Sequence, residues 1–94
     1  MDIRGLRELR DYFRTLSDAT RLRIVEQLAR RELTVSEIAR GLHMSQPLIS
    51  WHLHRLKVTG LVKMQREGRE VRCSLDRARI QQCEREFESL FADI

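Results

Sequence analysis

The middle of this chain carries hydrogen-bonding and basic side chains but no carboxylates. No Asp or Glu lies between Glu37 and Glu67. The same interval holds Arg40, Arg55, Lys57, Lys63 and Arg66. The basic excess of the chain, whose net charge is +4, is therefore local, as a surface that contacts phosphate groups requires. Composition leaves a solvated charged face open as the alternative.

Polar side chains in this interval recur at helical spacing. Ser45 is a predicted N-cap, and Pro47 follows within the first turn, where its missing N–H costs little. The predicted helix runs from Gln46 to Thr59. Its buried face is formed by apolar residues and one imidazole: Ile49, His52, Leu53 and Leu56. The outward face carries Gln46, Ser50 and His54, with Leu48, Trp51 and Arg55 on its flanks.

These outward side chains fit the chemistry of base edges in double-stranded DNA. Gln bonds adenine bidentately, and Ser bonds several bases. Ser45 either contacts a base or serves only as a cap. Trp51 either packs on a thymine methyl or sugar or covers a neighbouring helix. His52 is predicted to be a core histidine because it lies on the inner face.

A change of period after Gly60 predicts a β-hairpin. Val62 and Met64 alternate with polar residues, and the alternation resumes after a turn formed by residues 66–69. The second strand carries Val71, Cys73 and Leu75 on one face. Arg66 and Arg69 at the turn are expected to enter the minor groove or hold phosphate. Arg40, Arg55 and Lys57 are expected to position the DNA backbone, unless they are merely solvated.

The remaining elements are predicted helices. The first has apolar residues at helical spacing: Leu6, Leu9, Phe13 and Leu16. The second is capped by Ser17 or Asp18 and has an apolar face of Leu22, Ile24, Val25 and Leu28. Thr34 and Glu37 form a capping-box pattern for a short third helix with Val35, Ile38 and Ala39, which Gly41 could end. Asp76 caps a last helix with a stripe of Ile80, Cys83, Phe87, Leu90 or Phe91, and Ile94.

The ordered blocks resemble those of the ArsR/SmtB-type winged-helix repressors. The similarity lies in residues 13–24, 32–39, 44–53, 60–62 and 66–69, and spans roughly residues 10–80. It implies a mainly α fold with a small hairpin, in the order α-α-α-α-β-β-α. It also implies a homodimer that binds an operator and releases it on a signal.

The expected organisation is one winged helix-turn-helix domain over residues 1–94. Residues 34–59 form the helix-turn-helix, 61–75 the wing, and 1–16 with 77–94 the dimerisation helices. The expected dimer interface comprises Leu6, Leu9, Phe13, Cys83, Phe87, Leu90 and Phe91. A partner subunit is expected because a chain of 94 residues buries a smaller share of its surface than a large one.

The metal sites of related repressors are not expected here. Thr34 and Ser36 stand where such relatives carry a Cys-x-Cys pair, and no His follows His54. No cofactor is predicted, and the effector is unknown. We interpret Cys73 and Cys83 as small buried hydrophobes, with redox sensing as the alternative.

Several other classes are disfavoured by the residues. No nucleophile–base pair, phosphate-binding Gly loop or metal set is found, so an enzyme is not expected. No segment approaches the roughly 18 apolar residues of a membrane span, and the charged start lacks a secretory signal, so a cytoplasmic location is expected. The alternative function is a winged-helix interaction or dimerisation module without specific DNA binding.

Overall fold

Five helices and three strands make up the part of the chain that the computed structural model describes, residues 1–92. Their order is α1 (Ile3–Leu16), α2 (Ala19–Arg30), β1 (Leu33–Thr34), α3 (Val35–Leu42), α4 (Gln46–Val58), β2 (Val62–Glu67), β3 (Glu70–Leu75) and α5 (Arg77–Ser89). The predicted order of helices and hairpin strands is confirmed, and β1 is an addition. Within the described residues, no helix is long and apolar enough to cross a membrane.

Side chains at the predicted cap positions begin the helices. Asp18, rather than Ser17, caps α2 by accepting the backbone N–H of Arg21. At α3 the Thr34 hydroxyl accepts the Glu37 N–H at 3.1 Å, and the Glu37 carboxylate accepts the Thr34 N–H at 2.9 Å. The predicted capping box is therefore confirmed. Ser45 and Asp76 cap α4 and α5 in the same way.

The end of α3 differs from the expectation. Gly41 lies inside the helix, and His43 adopts the left-handed conformation with φ 56°. The His43 N–H donates to the carbonyls of Ala39 and Arg40. Burial of Leu42 explains the extra residues, because ending the helix at Gly41 would remove that side chain from the core.

The three strands form one antiparallel sheet in the order β1-β3-β2. Cys73 at the centre of β3 pairs with Leu33 on one side and with Met64 on the other. Gly68 takes a positive φ of 62° in the turn that joins β2 to β3, and the register places Glu67 opposite Glu70. The predicted hairpin is thus extended by a short third strand.

The core lies where the helices meet the sheet. Fully buried side chains from five elements meet there: Ile24, Ile38, Ile49, Leu53, Leu56, Cys73 and Cys83. Leu22 was expected on the inner face of α2, but it is 50% exposed. At about 100° per residue, Leu22 and Ile24 point to nearly opposite sides of a helix, so burying Ile24 leaves Leu22 outside.

Candidate nucleic-acid interface

Helix α4 divides into a buried face and an exposed one. The predicted inner face is confirmed, since Ile49, Leu53 and Leu56 are fully buried and His52 is 6% exposed. All the residues expected to contact DNA are exposed: Arg40, Ser45, Gln46, Leu48, Ser50, Trp51, His54, Arg55, Lys57, Arg66 and Arg69. The structure therefore leaves every one of these side chains accessible, and DNA contact remains a prediction for each.

A tight turn of residues 43–45 joins α3 to α4. The Met44 N–H donates to the Ala39 carbonyl at 3.0 Å, which closes the end of α3. The Ser45 hydroxyl oxygen accepts the Leu48 N–H at 3.3 Å. Ser45 is therefore an N-cap, as predicted, and base contact through its hydroxyl is not excluded by that role. Two helices joined in this way form a helix-turn-helix.

The Gln46 side chain is held from outside its own helix. Its Nε2 donates to the Ser36 Oγ at 3.1 Å, and the Ser36 Oγ donates to Glu70 Oε2 at 3.3 Å. These contacts join the start of α4 to the start of α3 and to the first residue of β3. These contacts of Ser36 were not predictable from the sequence, where Ser36 appears only at the position of a family thiolate, because no local pattern links residues so far apart in the chain.

The Trp51 side chain is 55% exposed, and the guanidinium groups of two arginines pack against its indole ring. The Cζ atoms of Arg21 and Arg55 lie 5.9 Å from the indole centroid. Such cation–π contacts contribute about 0.5–1 kcal/mol at exposed sites. The indole touches α2 through Arg21 but does not cover that helix, so much of its surface is available to another molecule.

His52 is a satisfied core histidine, as predicted. Its Nδ1 lies 3.2 Å from Nη1 of Arg21. Arginine only donates, so Nδ1 is the acceptor in this hydrogen bond. The Asp18 carboxylate is 4.0 Å from the same nitrogen, which is too long for a hydrogen bond. Arg21 was not predicted as the partner of His52, since the two residues lie 31 positions apart in the chain.

Of the arginines on the wing, one is paired with a carboxylate and two are not. Arg72 donates to Glu67 at 2.7 Å, and this hydrogen bond raises the pKa of the Arg72 guanidinium. Arg66 lies in β2 and Arg69 in the two-residue turn, and both are exposed and form no ion pair with a carboxylate in residues 1–92. Arg66 and Arg69, like the exposed Lys63 of β2, are thus available to phosphate.

An aromatic cluster lies on the outer side of α1 and α5. Phe87 packs edge-to-face on Phe13 at 4.9 Å and on Phe91 at 5.5 Å between ring centroids. Together with two exposed leucines it forms what we call the outer apolar patch: Leu6, Phe13, Phe87, Leu90 and Phe91. Leu9 and Cys83, which were also expected at the dimer interface, lie in the monomer's own core, at 4% and 0% exposure. The expectation for these two is corrected, because the core surrounds their side chains; Ile94 lies outside the described residues.

The two cysteines lie in the core, where the sequence analysis expected them. Both side chains are fully buried. Burial raises the pKa of the Cys73 thiol to about 11, and it raises that of Cys83 as well. The reactive thiolate is thereby disfavoured, which supports a packing role. Across residues 1–92, no group of three or more His, Cys, Asp or Glu side chains is arranged to hold a metal ion.

A helix-turn-helix followed by a two-stranded hairpin defines a winged helix-turn-helix protein. Residues 18–64 match the family described as "Bacterial regulatory protein, arsR family". The chain belongs to this family, and the resemblance stated above is confirmed. Since the family consists of transcriptional regulators, the expectation that the chain is not an enzyme is confirmed too.

Named relatives and a solved structure agree with this family. The chain is 35% identical over 72 residues to the HTH-type transcriptional regulator KmtR of Mycobacterium tuberculosis, covering 77% of this chain and 55% of the relative. It is 36% identical over 75 residues to the transcriptional repressor SmtB homolog of Synechocystis sp., covering 80% and 57%. It therefore spans little more than half the length of both relatives.

Among solved structures, an ArsR-like transcriptional regulator from Rhodococcus sp. superposes with a TM-score of 0.88 at 33% identity. The superposition covers 97% of this chain and 86% of that one. The predicted winged-helix fold is therefore confirmed over nearly the whole chain.

Proposed function

We propose that the chain is a homodimeric, sequence-specific regulator of transcription, acting in the cytoplasm as a repressor on an inverted-repeat operator. The observation that carries the proposal is the exposed face of α4, which presents Gln46, Ser50 and His54 and has no carboxylate. A helix of this kind inserts its first residues into the major groove and reads base edges there.

Basic residues around α4 suit the flanking phosphates. Arg55 and Lys57 lie near the end of the helix and Arg40 lies on α3. Arg66 lies in β2, and Arg69 lies in the wing turn. Phosphate contacts of this kind position a protein on DNA without selecting sequence. In this proposal sequence selection comes from α4, and most of the affinity comes from the surrounding cations.

The outer apolar patch supports the proposed homodimer. Its side chains are 40–50% exposed, and three of them form one continuous aromatic cluster. Contiguous exposed apolar surface of this kind marks an interaction site. A two-fold dimer would present two α4 helices to half-sites about 34 Å apart, one turn of DNA.

Equilibrium binding to labelled duplexes tests the proposal. An operator is first selected from random duplex DNA, and its affinity is then compared with that of a scrambled duplex. Gln46→Ala should weaken operator binding by about 1–3 kcal/mol and leave scrambled DNA unaffected. The matched control is Gln81→Ala, which removes an exposed glutamine on α5.

The competing function is a winged-helix interaction module. Its support is the outer apolar patch, which would serve docking equally well. That function predicts no sequence preference and no strong salt dependence of binding. Failure of the wild-type protein to enrich any sequence would therefore favour this alternative and reject the proposed regulator.

We propose that this protein senses its signal through neither the thiolate metal site nor the histidine metal site of related repressors. Thr34 is occupied in capping α3, and the Ser36 hydroxyl is bonded to Gln46 and Glu70. Zinc, cadmium or arsenite should therefore leave operator binding intact, and loss of binding at stoichiometric metal would contradict this.

Mild oxidation should also have no effect on operator binding, because both thiols are buried. A loss that a Cys73→Ser, Cys83→Ser double variant prevents would instead establish redox sensing.

A further inference from the structure

A three-residue hydrogen-bonded chain controls the orientation of the Gln46 amide. The Glu70 carboxylate only accepts hydrogen bonds, so the Ser36 hydroxyl must use its one proton to donate to it. The Ser36 oxygen can then only accept from Gln46. The NH₂ end of the Gln46 amide, rather than its carbonyl, is therefore the end that faces Ser36.

This orientation leaves a defined pair of groups for DNA. One Nε2–H of Gln46 is used by Ser36, so the carbonyl oxygen and the second N–H remain. An acceptor beside a donor is the pair that bonds the N6 and N7 edge of adenine. A freely rotating amide would present this pair in either order and at many angles.

We propose that Ser36 and Glu70 are specificity-determining positioning residues, which act through Gln46 to fix the base preference of α4. The inference rests on the proposed function. It also assigns a role to an acidic residue at the wing tip: the Glu70 carboxylate reduces the attraction of the wing to phosphate, but it orients the Gln46 amide through Ser36. Entry into the groove removes water from these three groups, and their hydrogen bonds then strengthen.

The DNA test compares Ser36→Ala, Ser36→Thr and Glu70→Gln on the selected operator and on its three single-base variants at the pair contacted by Gln46. Ser36→Ala should reduce discrimination at that pair by about five- to tenfold, part of the value of a bidentate contact. Ser36→Thr, which keeps the hydroxyl, should restore it. Glu70→Gln should also reduce discrimination while raising affinity for scrambled DNA by about two- to fivefold, because a surface charge is removed.

Two controls separate orientation from general damage. Ser74→Ala, at the other end of β3 from Glu70, should leave discrimination unchanged. In a Gln46→Ala background the Ser36→Ala change should have no further effect, since its target is gone. Unchanged discrimination in Ser36→Ala, or an equal loss in both backgrounds, would overturn the proposal while leaving the proposed function in place.

A measurement without DNA tests the same chain independently. The side-chain NH₂ resonances of Gln46, assigned by their absence from Gln46→Ala, should move in both Ser36→Ala and Glu70→Gln toward the positions of solvated glutamines. Resonances that do not move would show that the chain does not form in solution, and would overturn the proposal whether or not the protein binds DNA.

Discussion

Arg21, on α2, hydrogen-bonds to residues of α1 and α4 and so helps to fix the position of α4 relative to these two helices. Its Nε donates to the Thr15 carbonyl at 2.6 Å, and its Nη1 donates to His52 Nδ1 at 3.2 Å. Thr15 lies in the last turn of α1, whereas His52 lies on the inner face of α4, and the two residues are only 7% and 6% exposed. Arg21→Ala would leave two poorly solvated acceptors without their donor.

The expected loss of stability follows from these two hydrogen bonds. A hydrogen bond to a charged group contributes about 1.5–3 kcal/mol, and the contact with exposed Trp51 adds about 0.5–1 kcal/mol. Water can reach part of the vacated site because Arg21 is itself only half-buried, so we expect a total near 3 kcal/mol. At about 4–8 °C per kcal/mol for a domain of this size, Tm should fall by about 12–24 °C.

Thermal unfolding followed by circular dichroism measures this loss. All variants should be compared at one protein concentration, because the stability of a dimer depends on it. Arg23→Ala, an exposed change two residues along α2, is the matched control and should cost no more than about 0.5 kcal/mol. Arg21→Lys should be intermediate, since an ammonium group reaches only one acceptor well. If Arg21→Ala unfolds at the same temperature as Arg23→Ala, the two hydrogen bonds do not stabilise the fold.

Three further predictions concern the wing, the dimer and acid stability. Arg66→Ala and Arg69→Ala should each reduce the slope of log affinity against log salt by about one unit, and an unchanged slope would exclude phosphate contact by the wing. Phe87→Glu should shift the sedimentation of the protein from dimer to monomer, and an unaltered profile would place the interface elsewhere. The backbone N–H of Arg21 lowers the pKa of the Asp18 carboxyl from its ordinary 3.8, so Asp18 stabilises the fold above pH 3.8, and this stabilisation is lost as the pH falls through the lower folded value. Unfolding midpoints of wild type and Asp18→Ala should therefore converge as the pH is lowered below 3.8, and a constant difference would refute this.

Contacts between residues close in the chain were predictable from the sequence. The capping box of Thr34 and Glu37 joins residues three apart, as do the caps at Ser45 and Asp76. The inner face of α4 and the alternation of the hairpin strands were predictable as well, because burial on one side of a helix or strand imposes a fixed period. The exposed face of α4 follows from the same period, so the candidate DNA-contacting residues could be chosen without a structure.

Tertiary packing decided the features that no local period encodes. Strand β1 has only two residues, too few to show alternation, and it exists because β3 offers it an edge. In the sequence, Leu9 and Cys83 belong to the same apolar stripes as residues that are exposed in the structure. The packing of α1 and α5 decides that these two side chains point into the core.

The hydrogen-bond partners of Ser36 and His52 were not predictable from the sequence either. Ser36 meets Glu70 across 34 positions of the chain, and Arg21 meets His52 across 31. Such pairs depend on how whole elements are oriented, and that orientation is set by the burial of the core, which acts on all elements at once. The amino-acid sequence therefore determined which surface faces DNA in the proposed function, whereas the tertiary structure decided which side chains hold that surface in place.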